Sequence, residues 1–247
     1  LCEFVDHTVM EGISDYSRSF ERKGGEFEII GLDAHGTDTQ HPFAIRKNLP
    51  SNDFFGLGQN LTKRQIALEQ LAQDLNWGYR SEPSSDTKEL ERFDYFSSKI
   101  INYQLNELVS EDQSFHLFDL SYSEGAFTAK EDIKASFLLV ELQQEIPSFV
   151  LDRENILGGI NEHTNYDDLD FSTAPDFSKR FFLGGKNPKA IRAFFTSTLI
   201  FFFESHGYYR VESIGNSLLI KGKSRLSSIQ EIKRLLAFAS ELVSHVK

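Results

Sequence analysis

The stretch from Phe115 to Leu151 reads FHLFDLSYSEGAFTAKEDIKASFLLVELQQEIPSFVL, and it decides the fold. Its first ten residues alternate as a strand does, and Ser123-Glu124-Gly125 supplies residues typical of a turn. Between Ile133 and Leu142, apolar residues occupy both faces of a period-two pattern, which indicates a central strand covered on both sides. Pro147 cannot donate to a strand ladder, so we expect it to open a third strand or to lie at an edge. The stretch therefore predicts three antiparallel strands.

The rest of the chain predicts helices that cover this sheet. Apolar residues at spacings of three and four, with capping residues at several ends, favour helices at 2–20, 62–75, 90–108, 188–206 and 228–246. Gly215-Asn216 predicts a hairpin over 208–221, and residues 180–183 read as another strand. We expect an α+β fold, an antiparallel β-sheet core with flanking amphipathic helices. The domain organisation predicted is a single domain over 1–247, with a candidate sub-boundary at the polar stretch 81–88.

The predicted helix from Pro188 to His206 is apolar over more than one face, so we expect it to be buried on most sides. In a helical projection, Phe195, Leu199 and Phe202 lie deepest, and Phe201 lies nearest to the solvent boundary. An exposed patch around Phe201 and Phe202 would instead indicate a surface for a partner.

Composition limits the function classes. The net charge of −11 and the pI of about 5.1 exclude general nucleic-acid binding and disfavour anionic membranes, unless a local basic patch overrides the mean. The single cysteine, Cys2, excludes an internal disulfide framework and fits a cytoplasmic location. The 23 phenylalanines indicate a Phe-rich core, with an aromatic-lined cavity for an apolar ligand or lipid as the alternative.

One acidic segment is the candidate metal site. Carboxylates with a histidine among them are ligands for a hard cation and can also serve as acid and base. The spacing does not match an EF-hand loop, and a solvated acidic loop is the alternative interpretation. The candidate ligands are Glu162, His163, Asp167, Asp168 and Asp170.

No other motif specifies a reaction. The sequence has no Gly-x-Ser-x-Gly, so the catalytic residues stay unassigned, and no cofactor is predicted. Gly56-Leu57-Gly58 and the run from Gly184 to Pro188 each precede a predicted helix, where backbone N–H groups can hold an anion. The basic stretch from Lys221 to Arg225 could bind an acidic partner or a lipid headgroup, and a solvated loop is the alternative.

The carboxy-terminal part of the chain resembles an uncharacterised bacterial family. The residues that carry the resemblance are Phe118-Asp119, Phe149-Val150-Leu151, Asp170-Phe171, Asp176-Phe177-Ser178, Leu183-Gly184-Gly185, Val211-Glu212 and Leu218-Leu219-Ile220. The resemblance covers residues 60–245. Members of the family often carry two transmembrane helices before a soluble domain of this kind. The resemblance therefore implies a membrane anchor that precedes Leu1, and it implies no activity.

Three functions follow as hypotheses. The leading one is a non-enzymatic interaction or regulatory domain of a bacterial protein, tethered to the cytoplasmic face of a membrane, with an unknown protein partner. The second is a metal-dependent enzyme that uses the acidic segment 162–170. The third is a domain that binds an apolar ligand or lipid. The oligomeric state has no signal in the sequence.

Overall fold

The computed structural model describes residues 4–23, 27, 35–36, 44–48, 61–125, 131–153 and 166–246. The chain forms two compact units, Leu1–Ile66 and Ala67–Lys247. None of the helices in the described part of the chain is long and apolar enough to cross a membrane.

The first unit contains short strands and one long helix. Its described elements are β1 (Phe4–Val5), α1 (His7–Arg22), β2 (His35–Gly36) and β3 (Arg46–Asn48). The strands form an antiparallel sheet in the order β1-β3-β2. The side chain of Asp6 accepts a hydrogen bond from the backbone N–H of Val9 at 2.8 Å, which caps α1. The predicted helix at 2–20 is confirmed, but it begins five residues later because the chain pairs as a strand first.

The second unit is built on a large sheet. Its described elements, in chain order, are α2 (Lys63–Leu75, which begins in the first unit), β4 (Gly78–Arg80), β5 (Ile100–Val109), β6 (Phe115–Glu124), β7 (Glu131–Glu141), β8 (Val150–Arg153), α3 (Pro175–Arg180), β9 (Phe181–Gly184), α4 (Pro188–Phe194), α5 (Ser197–Ser205), β10 (Arg210–Ile214), β11 (Ser217–Lys221) and α6 (Ile229–His245).

The sheet has eight strands in the order β4-β5-β6-β7-β11-β10-β8-β9, and all neighbours are antiparallel. The predicted α+β fold, the strands at 115–124 and 131–141, and the 208–221 hairpin are therefore confirmed. The third predicted strand begins at Val150, three residues after Pro147. It pairs with β10 and β9 rather than with β7, because the hairpin lies between them.

Both faces of the sheet are covered, as the two-faced pattern of β7 predicts. On the helical face, Leu138 and Val140 belong to a core with residues of α2, α4, α5 and α6. On the opposite face, residues 81–99 cross the strands, and we call them the crossing segment. Two 3₁₀ turns of this segment, Leu90–Arg92 and Asp94–Phe96, pack on Phe137 and its neighbours.

The predicted helix at 90–108 is wrong. The chain forms the crossing segment up to Lys99 and then strand β5, which pairs with β4 and β6. Gln104, Asn106 and Leu108 are buried while the residues between them are half-buried, and this alternation is that of a strand. Pairing with neighbouring strands outweighs the helical spacing of Phe93, Phe96 and Ile100.

The predicted helix from Pro188 to His206 is interrupted. It divides into α4 and α5 at Phe195 and Thr196, where Thr196 adopts an extended conformation and its hydroxyl accepts a hydrogen bond from Leu199 N–H at 3.3 Å. A threonine hydroxyl that caps a new helix competes with continuation of the old one. The predicted depths are nevertheless confirmed, because Phe195, Leu199 and Phe202 are buried and Phe201 is exposed.

Helix α2 is confirmed, but its predicted apolar stripe is not the buried one. Thr62 caps it through Gln65 N–H at 3.1 Å. Leu68, Leu71 and Ala72 are buried, whereas Ile66 and Leu75 are exposed. Of the predicted stripe of Ile66, Leu71 and Leu75, only Leu71 is on the buried face of the helix. The predicted helix at 228–246 and its capping box, formed by Ser228 and Glu231, are both confirmed.

Candidate functional site

The described carboxylates of the acidic segment have separate structural surroundings. Asp168 accepts a hydrogen bond from the backbone N–H of Leu183 at 3.0 Å and so fixes the end of this segment against β9. Burial raises the pKa of Asp168, and the nearby charge of Asp170 adds to the rise. The backbone carbonyl of Asp170 accepts a hydrogen bond from Arg192, and Asp167 is exposed.

The other two candidate ligands, Glu162 and His163, lie outside the described residues. Among the residues that are described, no group of three His, Cys, Asp or Glu side chains is arranged to hold a metal ion. The metal hypothesis depends on Glu162 and His163, so it stays a prediction. Gly56-Leu57-Gly58 also lies outside the described ranges.

The run at Gly184 to Pro188 has a packing role. A methyl group added at Gly185 would lie 2.5 Å from the carbonyl oxygen of Ser148 and 2.7 Å from the side chain of Ile191. Helix α4, which follows, has seven residues, and the side chain of Asn187 caps it through Ala190 N–H. The glycine is therefore explained by the close approach of the chain to β8, without an anion.

The two exposed cations of the basic stretch at 221–225 share one carboxylate. Lys223 and Arg225 bind the carboxylate of Glu231 at 2.8 Å and 2.7 Å. Burial by itself raises the pKa of Glu231, but hydrogen bonds from Arg225, Lys223 and the backbone of Ser228 outweigh it and lower this pKa to about 2. Lys223 and Arg225 therefore stabilise the first turn of α6 through Glu231.

A second basic region, which the motif search missed, lies between Phe177 and Phe203. This run of 27 residues contains five lysines and arginines and no aspartate or glutamate, in a chain whose net charge is −11. We call these cations the basic surface; they are Lys179, Arg180, Lys186, Lys189 and Arg192. All five are exposed, and none forms an ion pair with a carboxylate of the described residues.

Backbone and aromatic contacts hold two of these cations, Arg180 and Arg192, in place. Arg180 donates to the carbonyl oxygen of Glu204 at 2.9 Å, which ties the end of α3 to the end of α5. The guanidinium carbon of Arg192 lies 5.5 Å from the centre of the Phe171 ring. Lys189 lies one turn before Arg192 on α4, so the two side chains share a helix face.

A shallow groove of about 600 Å³ opens beside Arg192. It has Phe171 and Pro175 among its apolar groups and Lys179 and Arg192 among its charged ones, with Asp170 also in the lining. Asp176 is exposed nearby at the start of α3. Phe201, 68% exposed, lies on α5 one turn before Glu204. The region thus combines unpaired cations with exposed aromatic surface.

The signal that could have found this region is the spacing of opposite charges. Acidic residues stop at Asp176 and resume at Glu204, while cations continue between them. Charge runs are normally noticed as clusters of neighbouring residues. Here the cations are separated by three to six residues in most cases, and only the folding of α3 and α4 brings Lys179 and Arg192 to one groove.

A third cluster of charged groups lies under the crossing segment, around Tyr95. The ring of Tyr95 is approached by Lys99 Nζ at 4.5 Å, Lys221 Nζ at 4.8 Å and the guanidinium carbon of Arg210 at 5.2 Å. The hydroxyls of Tyr95 and Tyr122 are 2.7 Å apart. Burial, followed by this hydrogen bond, raises the pKa of Tyr95 far above its ordinary value, so its hydroxyl stays protonated.

Carboxylates balance two of these three cations. Arg210 pairs with Asp152 and with Glu212, whose other oxygen accepts the backbone N–H of Tyr95 at 3.1 Å. Lys99 pairs with Glu124 at 3.2 Å. The cluster therefore fastens the crossing segment to β10 and β6, which is a structural role.

Comparisons with known proteins give a likeness of fold. No protein-family model and no curated protein sequence matches the chain. A solved structure, that of the mycobacterial trehalose monomycolate transport factor A, TtfA, matches with a TM-score of 0.50 and 13% identity. The match covers 74% of this chain and 94% of that one. At this identity, the likeness extends to the fold.

Proposed function

We propose that this chain is a non-enzymatic binding domain that docks on an anionic lipid surface through the basic surface of α3 and α4, with Phe201 of α5 at the contact. The observation that carries the proposal is the set of five exposed cations, none of which pairs with a carboxylate of the described residues, in an otherwise acidic chain. The cations at 223 and 225 differ, because both are paired with Glu231.

Electrostatic attraction at this surface can act despite the negative net charge. At physiological salt, charges separated by more than about 8 Å of solution are largely screened, so acidic groups elsewhere on the chain oppose docking only weakly. Each Lys or Arg near an anionic bilayer contributes about 1 kcal/mol to the free energy of membrane binding. Asp170, Asp176 and Glu204 border the region and reduce the attraction, but the cations outnumber them.

We infer that Phe201 supplies an apolar contact beside the basic surface, because its helix α5 is tied to Arg180 through the carbonyl oxygen of Glu204. Its ring is exposed on a short helix whose other outward residues are small and polar. Transfer of a phenylalanine ring out of water gains about 1.5–3 kcal/mol when burial is complete. A Phe beside lysines and arginines is the composition of an interfacial contact with lipid headgroups and the acyl boundary.

Two further observations are compatible with this function. The structural neighbour is named as a transport factor for trehalose monomycolate, which is not the name of an enzyme. Anionic lipids give the cytoplasmic leaflet its negative surface potential. We therefore place the docking on the cytoplasmic face of the membrane, where a tether of the kind that the family resemblance implies would hold the domain close.

Flotation with lipid vesicles tests the proposal. Wild-type chain is expected to float with vesicles of phosphatidylcholine and phosphatidylglycerol, to float less as salt is added, and to stay unbound with phosphatidylcholine alone. The double variant Lys189→Gln/Arg192→Gln should lose most of the binding. The matched control Lys223→Gln/Arg225→Gln should retain it.

Equal binding of both double variants would contradict docking through the basic surface, and so would an absence of flotation with anionic vesicles. In the second case, a protein partner with an acidic segment becomes the better candidate for this surface.

A further inference from the structure

The side chain of Lys221 differs from the other two cations around Tyr95. It lies on β11 directly opposite Arg210 of β10, and the residue is only 7% exposed. Because Arg210 is its strand partner and Lys99 approaches the same ring, Lys221 is held close to charges of its own sign.

The ammonium group of Lys221 donates a hydrogen bond to the hydroxyl of Ser224 at 2.9 Å. Within the described part of the chain, no carboxylate oxygen forms an ion pair with it, whereas Arg210 has two acidic partners and Lys99 has one. Buried charges in proteins are normally paired, because removal of an ammonium from water is costly. Burial first, and then repulsion from Arg210 and Lys99, lowers the pKa of Lys221 to about 8, and the attraction of Asp152 and Glu124, neither of which forms an ion pair with it, opposes this only in part.

Ser224 connects this buried group to solvent. It is exposed, between the exposed side chains of Lys223 and Arg225, in the turn that links β11 to α6. An acceptor at the Ser224 hydroxyl therefore comes within reach of the Lys221 ammonium. An ammonium has three N–H donors, and a phosphate offers several strong acceptor oxygens.

We propose that Lys221 and Ser224 form a binding site for a phosphate monoester group, carried either by a small soluble anion or by a lipid headgroup. The phosphate accepts hydrogen bonds from Lys221 Nζ and Ser224 Oγ and supplies the direct ion-pair partner that the ammonium lacks among the described residues. Lys223 and Arg225 remain engaged with Glu231, so the phosphate binds on the Ser224 side of the turn. The site shares no residue with the basic surface of α3 and α4.

Nuclear magnetic resonance of the ¹⁵N-labelled full chain tests this proposal. Inorganic phosphate and glycerol phosphate are titrated at constant ionic strength and neutral pH, with sodium chloride as the reference. Saturable shifts are expected at the backbone amides of Gly222 and Ser224. In Lys221→Met, the affinity should fall at least about tenfold, which corresponds to about 1.4 kcal/mol. Lys223→Met is the matched control and should bind as the wild type does.

Ser224→Ala is the second variant, because its side chain is exposed and its loss leaves the core unchanged; it should weaken binding in the same direction. Vesicles that contain phosphatidic acid form the other arm. Saturable shifts with the soluble phosphates would identify the ligand as a small soluble anion. Shifts with the vesicles alone would identify it as a lipid headgroup. No saturation with any probe, or equal affinity in wild type, Lys221→Met and Ser224→Ala, would overturn the site.

Discussion

Phe201 and Phe202 are adjacent in the chain but lie in opposite environments. Phe202 is 2% exposed and packs against Phe238 of α6, with ring centres 5.1 Å apart, and against Phe203 at 5.3 Å. Phe201 is 68% exposed. The two positions therefore separate a stabilising role in the core from a role at the surface.

Replacement of Phe202 by alanine should lower the free energy of unfolding by about 3–5 kcal/mol, because it leaves a cavity in the core between α5 and α6. Phe201→Ala is the matched control, and it should change the stability by less than about 0.5 kcal/mol. Denaturant unfolding measures both. A loss below about 1 kcal/mol for Phe202→Ala would mean that this ring is not part of the core.

The depth of single residues is the part of the structure that sequence spacing predicts well. The projection of 188–206 places Phe202 inside and Phe201 at the boundary, although the helix is interrupted, because the break at Thr196 precedes both residues. Lys221 could not be placed in this way. In the sequence it belongs to a basic stretch, and only its pairing opposite Arg210 and the crossing segment above it show that it is buried.

At the scale of elements, the predictions from sequence fail where tertiary contacts determine the secondary structure. Residues 90–108 have helical spacing, yet β5 forms because β4 and β6 pair with it on its two sides and the crossing segment covers Phe137. The hairpin at 210–221 and the capping box of α6 are predicted correctly, since both depend on neighbouring residues alone. The basic surface does not form a sequence motif, because its cations come from two helices and a loop.

The beginning of α6 gives a prediction of pH dependence. The pKa of Glu231 is lowered in the folded chain from 4.5 to about 2, so its charge adds stability above pH 4.5, and this stability is lost as the pH falls towards 2. Glu231→Gln can still accept the capping hydrogen bond but carries no charge. The variant should be less stable than wild type at neutral pH and equal to it near pH 2.

Urea unfolding at a series of pH values measures this difference. Glu69→Gln on α2 is the control, because Glu69 is in no ion pair of the described residues. A difference between wild type and Glu231→Gln that stays constant over the whole pH range would contradict the role of the Glu231 charge.

For the whole molecule, the buried hydrophobic clusters belong to the second unit. Their described members begin at Leu68 and end at Val246. We therefore expect residues 61–247, which keep Thr62 as the cap of α2, to fold without the first unit. The melting temperature should differ from that of the full chain by less than about 4 °C, or about 1 kcal/mol for a domain of this size. Loss of cooperative unfolding in a calorimeter would show that the second unit needs the first.

The charges of the whole molecule are distributed unevenly, and the proposed docking on an anionic membrane depends on this distribution. In the described part of this acidic chain, residues 179–201 present exposed cations without carboxylate partners and an exposed Phe, and we propose that this region contacts the lipid. The claim requires a defined orientation on the membrane. Position 201 should then enter the interface, while an equally exposed apolar position on a different element should stay in water.

Tryptophan fluorescence measures this orientation directly. In a Trp77→Phe background, which removes the single native tryptophan, Phe201→Trp is compared with Ile100→Trp on β5, where the native side chain is 64% exposed. On anionic vesicles, we expect a blue shift of the emission and quenching by brominated lipids for the Phe201→Trp chain. The spectrum of the Ile100→Trp chain should be unchanged. Equal shifts for both chains, or a shift for the Ile100→Trp chain alone, would contradict docking through the basic surface.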